Sequence, residues 1–353
     1  MQLGAMTTFH FLKALVIALA CICAIESSAF SQDSYGNKKN KSDFVLVRSA
    51  DTKREFLGGQ YRPIEEVVNA KIHARLRGVW QYGLLSEASY DKKIDPSGRL
   101  TLKCDRSTRY LARWRHLPDY STENYKVKRK SVRLSVPGLS YRVWRDTSAA
   151  GPNRVAIVFR GTELDDLGDW YSNFRWLTKF NPITTDQYHA TTELVMQLVP
   201  SLLGDFGPDL EIVAVGHSLG GGLAQRAGYS SPHISTVYAF STSPVIGNPS
   251  SDREVNQKNR EGLVIFRVFE SGEILAAGRW LHRKLIDLSS KNPKVIELVF
   301  SFRHGFFSRR STGDGTISQH SIRKLTCDLI CHVEHGIDNE VCTGKRNATG
   351  PAR

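Results

Sequence analysis

Between Glu211 and Tyr229 the chain reads "EIVAVGHSLGGGLAQRAGY", and its hydrophobic pattern changes period partway along. Glu211 to Val215 is a short, β-branched apolar run, which predicts a strand buried on both faces. From Leu219 onward, Leu223, Ala224 and Ala227 recur at helical spacing. Gly216 to Gly220 is therefore expected to be the turn that joins a strand to a helix. The same reading gives a helix across Ile64 to Tyr90 and a strand in "LSYRVWRDTS". The "GPN" turn then leads into a second strand, "RVAIVFRGT". Asp186 to Leu203 reads as largely helical, and "ISTVYAFSTSPVIG" and "GLVIFRVFESGEIL" as further strands. Residues 95 to 130 read as basic and irregular, with Cys104 and several aromatics. Strands alternating with helices over short connections predict a mostly parallel sheet flanked by helices.

In such sheets function collects beyond the carboxyl ends of the strands. Ser218, "RGTE" and "ESGE" all fall at such ends. A tight strand-to-helix turn needs neighbours without Cβ atoms, and it pushes its central side chain out near the positive end of the helix. Ser218 occupies that central place, and the Leu219 N–H is aimed to bond a developing oxyanion. The plain alternative is a glycine-rich turn with an incidental serine, since Gly-x-Ser-x-Gly is short enough to recur by chance.

The N-terminus changes the picture of where the chain works. Lys13 precedes the apolar run "ALVIALACICAI", too short to span a bilayer comfortably, and small residues follow in "ESSAFSQ". This predicts a signal peptide over 1–31 and an exported, secreted or periplasmic protein. Alternatives are a lipoprotein signal ending at Cys21 and a retained anchor. A polar arm over 32–62, a main domain over 63–335 and a tail over 336–353 complete the expected organisation. Removing Cys21 and Cys23 with the signal leaves Cys104, Cys327, Cys331 and Cys342. An even count in an exported chain predicts two disulfides, with zinc held by Cys327, Cys331 and His332, and His335 and Cys342 nearby, as the rival. Lys and Arg total 48 against 35 Asp and Glu, a formal charge of +13. That surface favours anionic partners, and no nucleic-acid motif accompanies the charge.

A serine hydroxyl needs a base, and the base needs a carboxylate to hold its tautomer. Glu270 and Glu273 follow the strand ending near Phe269, and His282, His304, His320, His332 and His335 lie beyond. "VFRGTE", "VGHSLGGGLA", "FESGEIL" and "SQHSIRKL", in that order, resemble the class 3 (fungal-type) lipase family across roughly residues 75 to 330. The resemblance implies an α/β-hydrolase fold with an N-terminal helical extension and an insert before the catalytic histidine. It implies Ser218 as nucleophile, His320 as base and Glu273 as acid, with Glu270 as the alternative acid. Glu273 stands where the family has aspartate, and the family's following proline is absent. The oxyanion donors are then Leu219 and Thr162, His217 supports the turn, and no metal or organic cofactor is required.

By the same resemblance "LDDLGDWYSNFRWLTKFNP" falls in the lid region, where an ordinary packed helix is the alternative for its second half. From Gly278 to Arg310 many cations sit beside "VIELVFSF" and "GFFS". This reads either as a surface resting on anionic lipid or as an apolar helix packed on the sheet. The expected activity is hydrolysis of carboxylic esters, by a triacylglycerol lipase or phospholipase. A catalytically weak or inactive module of the same fold, holding anionic lipid or polysaccharide, is the competing expectation.

Overall fold

The computed structural model describes residues 45–49, 70–91, 100–104, 107–111, 113–123, 126–129, 132–135, 139–148, 151, 153–161, 182–242, 258–259, 261–270, 294–300 and 320–335. The expected signal peptide, lid region, C-terminal tail and "GFFS" lie outside them. Among the described residues, β1 is Val45–Ser49, α1 Ala70–Ala88, β2 Leu100–Cys104, β3 Ser107–Leu111, β4 Trp114–His116, β5 Lys126–Arg129 and β6 Val132–Ser135. There follow β7 Tyr141–Asp146, β8 Arg154–Phe159, α2 Pro182–Phe206, β9 Glu211–His217, α3 Leu219–Ser230 and β10 Ile234–Phe240. β11 Val264–Glu270, β12 Lys294–Phe300 and α4 Ile322–His335 complete the order.

Eight strands form the main sheet in the order β1-β12-β11-β10-β9-β8-β7-β4. β8 to β12 run parallel, and β7 and β1 join the two sides antiparallel. Because both faces are covered, the central strands are apolar on both, as the run in β9 predicted. Alternation divides them cleanly. Ala156, Val158, Val213, Val215, Phe240, Phe266 and Val268 face α1 and α4, where Leu84, Leu85, Leu325 and Leu329 meet them. Val155, Ile157, Phe159, Ile212, Ala214, Val237 and Ala239 face α2 and α3. A large apolar side chain wholly withdrawn from water contributes roughly 1.5–3 kcal/mol, so this two-sided core dominates the stability.

Three readings of the sequence are revised here. Val45–Ser49, within the expected polar arm, is an edge strand paired with β12, so the folded unit begins before residue 63. "VIELVF" is not a packed helix: Lys294–Phe300 is a strand of the main sheet, with Leu298 buried. Short apolar runs suit helix and strand alike until their neighbours are known. The stretch from 95 to 130 contains the β2–β3 hairpin and the first strand of the β5–β6 hairpin, where no regular structure was expected.

The β2–β3 hairpin is fastened to α4 by a disulfide between Cys104 and Cys327. Cys331 is also disulfide-bonded, to a partner outside the described residues. Cys327 and Cys331 are thus unavailable as zinc thiolates. The Cys104–Cys327 bond closes a loop of 223 residues. A crosslink of that span stabilises by up to about 5 kcal/mol, by restricting the unfolded chain. Replacing both cysteines with serine should lower the free energy of unfolding by several kcal/mol in a denaturant titration, with α4 losing protection from amide exchange first.

Candidate active site

β9 ends at His217 and α3 begins at Leu219, so Ser218 alone makes the turn. Its φ of 57° and ψ of −123° lie where non-glycine residues rarely sit. Backbone bonds hold it there. Ser218 N–H donates to Phe240 O at 3.0 Å, and Ser218 O accepts from Gly221 N–H at 3.1 Å. The turn tolerates no side chains beside it. A Cβ on Gly216 would lie 2.1 Å from Gly220 O, and one on Gly220 would lie 2.3 Å from Phe159 O. These glycines let strand and helix touch and let the end of β8 rest on the first turn of α3.

Ser218 is only 7% exposed, less open than its place above the sheet suggested. Leu219 occupies the first position of α3, where a backbone N–H lacks an intrahelical acceptor and the helix dipole is positive. β8 brings Gly161 against the turn: a Cβ there would lie 3.3 Å from Ser218 Cβ and 2.5 Å from His217 O. Thr162, the next residue, lies outside the described residues. Arg160 pairs with Glu123 at 3.1 Å.

His320 comes to the same place from the far end of the chain. It lies just before α4, is 1% exposed, and its ring centroid is 4.8 Å from that of His217. His217 Nε2–H donates to the His320 carbonyl at 2.7 Å. Glu270 is the last residue of β11, two strands from β9 in the sheet, and is fully buried. Glu273, three residues on, lies outside the described residues, as do His282 and His304. His332 and His335 fall on α4, the latter closing it.

Several supporting residues were missed in the sequence. Tyr90 Oη lies 3.0 Å from His217 Nδ1 and accepts from Gly161 N–H at 3.1 Å. Arg142, buried on β7, donates to Ala88 O and Asp91 O, closing the C-terminal end of α1 where the helix dipole is negative. Behind the turn, Arg267 donates twice to Gln225 Oε1, at 3.1 and 2.9 Å. The Gln225 amide in turn donates to Thr242 Oγ1 at 3.0 Å and Gly221 O at 3.2 Å. The visible hint was Arg267 itself, a lone cation inside an apolar strand. Tyr90 gave none, because its role depends on contacts 71 and 127 residues away.

A mostly parallel sheet between two helical layers, with a strained serine at a strand-to-helix turn, defines the α/β-hydrolase class. Residues 81–243 match the model of a Tle-like phospholipase domain, described as phospholipase-like. No curated protein matches the chain significantly. Among solved structures, it is similar to lipase II from Rhizopus niveus, with 16% identity and a TM-score of 0.36, covering 57% of this chain and 74% of that one. It is also similar to acetyl xylan esterase 1 from Thermoanaerobacterium sp., with 11% identity and a TM-score of 0.30, covering 71% and 93%. The phospholipase-like match and the hydrolase fold together support an ester hydrolase acting on lipid or other esters.

Gly216→Ala should cost about 1–3 kcal/mol, because its methyl meets backbone that has nowhere to go. Gly204 in α2 has nothing within 4 Å of its Cβ position. Gly204→Ala should therefore stabilise by up to about 1 kcal/mol. Denaturant titrations of the two variants check the contrast.

Proposed function

We propose that the chain is a secreted hydrolase of carboxylic esters, a lipase or phospholipase, working through Ser218, His320 and Glu273. The observation that carries this reading is the convergence of Ser218, in a strained turn, with His320, delivered by α4 to within ring contact of the adjacent His217. The phospholipase-like match over residues 81–243 favours a phospholipid ester as substrate.

His320 removes the Ser218 proton as Oγ attacks the ester carbonyl, and the carboxylate holds the imidazolium that forms. The oxyanion is stabilised by the N–H groups of Leu219 and Thr162, the latter following directly on the glycine packed against Ser218. His320 then protonates the leaving alcohol. Water, deprotonated by the same imidazole, releases the acid from Ser218. This route draws on neither metal nor organic cofactor. For the acid, motif spacing supports Glu273. Glu270, buried at the end of β11, is the alternative, and substitution separates the two.

Ser218→Ala should remove nearly all turnover of phospholipid, triglyceride and short-chain ester. It should leave unfolding within about 1 kcal/mol of wild type, since it deletes one hydroxyl and keeps the backbone bonds. Residual turnover near the wild-type rate would reject the nucleophile. Glu273→Gln should lower kcat by about a thousandfold or more, through lost control of the His320 tautomer. If Glu270→Gln is the inactive variant instead, the acid is Glu270.

The basic excess supports a second element of the reading, an anionic membrane surface as partner. Each Lys or Arg near such a surface adds about 1 kcal/mol, screened over roughly 8–10 Å at physiological salt. Vesicles containing phosphatidylglycerol should bind the protein more tightly than neutral ones, and less so as salt rises. Changing Arg283, Lys284, Arg309 and Arg310 to Gln should weaken that binding and spare turnover of a soluble ester. Indifference to lipid charge and salt would reject the membrane partner.

A further inference from the structure

We infer that Tyr90 and His217 are positioning residues, forming a directional hydrogen-bond relay that sets the oxyanion strand, the nucleophile turn and the base in register. The inference rests on the proposed roles of Ser218 and His320.

The direction follows from which atoms can donate. The His320 carbonyl can only accept, so the His217 Nε2 that meets it at 2.7 Å must carry the proton. In the neutral ring Nδ1 is then an acceptor, and Tyr90 Oη, 3.0 Å away, donates its one proton to it. The same oxygen accepts from Gly161 N–H at 3.1 Å. Gly161 to Tyr90 to His217 to His320 is thus one chain of hydrogen bonds running in a single direction. It links the residue before the proposed Thr162 donor, the residue before Ser218 and the backbone of the proposed base.

The relay is held in place independently of the site. Tyr90 lies in the turn that ends α1, with its N–H bonded to Glu87 O at 3.0 Å. Arg142 clamps that turn from β7 through Ala88 O and Asp91 O. Arg323, in the first turn of α4, donates to Glu87 at 2.6 Å from the other side. Burial pushes the Glu87 carboxyl up, and the Arg323 guanidinium pulls it back. Gly161 is required for the approach, since a Cβ there would lie 2.4 Å from Tyr90 Oη. The hydroxyl is therefore wedged between the two strand ends and cannot simply swing away.

Tyr90→Phe keeps the ring and its edge contact with His217 and removes only the hydroxyl. A displacement near 1 Å at a reacting group costs about 100-fold, so kcat on a soluble short-chain ester should fall about 100-fold with KM within about twofold. His217→Leu should fall as far. The double variant should fall no further than the worse single one, because both break the same chain. His217→Gln retains one donor and one acceptor and should recover part of the loss. Additive losses that track the fall in melting temperature would overturn the relay in favour of simple packing. So would a wild-type kcat in Tyr90→Phe while Ser218→Ala is inactive. An active Ser218→Ala would instead overturn the functional reading beneath it. Should Tyr90→Phe melt below the assay temperature, Gln and Leu at position 217 decide: equal rates reject the relay.

Discussion

How closely the end of β9 can approach the start of α3 governs the rest of the site. A strand and the helix that follows it normally stand apart by the thickness of their side chains. Here Gly216 and Gly220 remove that thickness, and the Gly220 backbone comes to rest on the end of β8. The one residue left between strand and helix is forced to positive φ. The strain is tolerated because the sheet is packed on both faces. Displacing Ser218 would mean separating α3 from Val237 and Ala239, and β9 from its parallel neighbours. Local strain is thus held by a core many times larger.

Polar groups extend the same constraint beneath the turn. Arg267 is buried on β11, and its guanidinium is taken up by Gln225 of α3, whose amide reaches Thr242 beyond β10. One network therefore ties together the helix whose dipole faces the site, the strand that leads toward the carboxylates and the strand between them. Satisfied buried networks of this kind specify a single arrangement, because any slippage leaves a desolvated charge without its acceptors. On the opposite face the α1–α4 layer does comparable work with apolar residues, and Gly83 allows the two helices to meet closely at Thr326.

Legibility in the sequence followed the range of the interactions. The turn at Ser218, the strands β7 to β11 and the helices α1 to α3 were readable, because each is declared by a local period or by glycines at fixed offsets. His320 was readable only through its resemblance to a family motif; nothing local separated it from His304 or His332. β1 was not readable, since five residues inside a polar stretch become a strand only by pairing with Ile296 to Phe300. The hairpins at 100–111 and 126–135 were missed for a similar reason. Lys126, Val127, Lys128 and Arg129 are too few to establish a period, and their cations suggested solvent. Tyr90 and Arg142 were missed because their value lies wholly in what the fold places beside them.

The bond between Cys104 and Cys327 also gives the chain a temporal order. Seven of the eight strands of the main sheet, β4 and β7 to β12, are strung between its two ends. During synthesis the serine turn is made more than a hundred residues before the second cysteine emerges, and His320 is made only seven residues before it. No shorter product, ended anywhere ahead of Cys327, can be fastened this way. The last of the described helices to leave the ribosome is the one the crosslink secures, so the crosslink certifies that the chain has been made through Cys327.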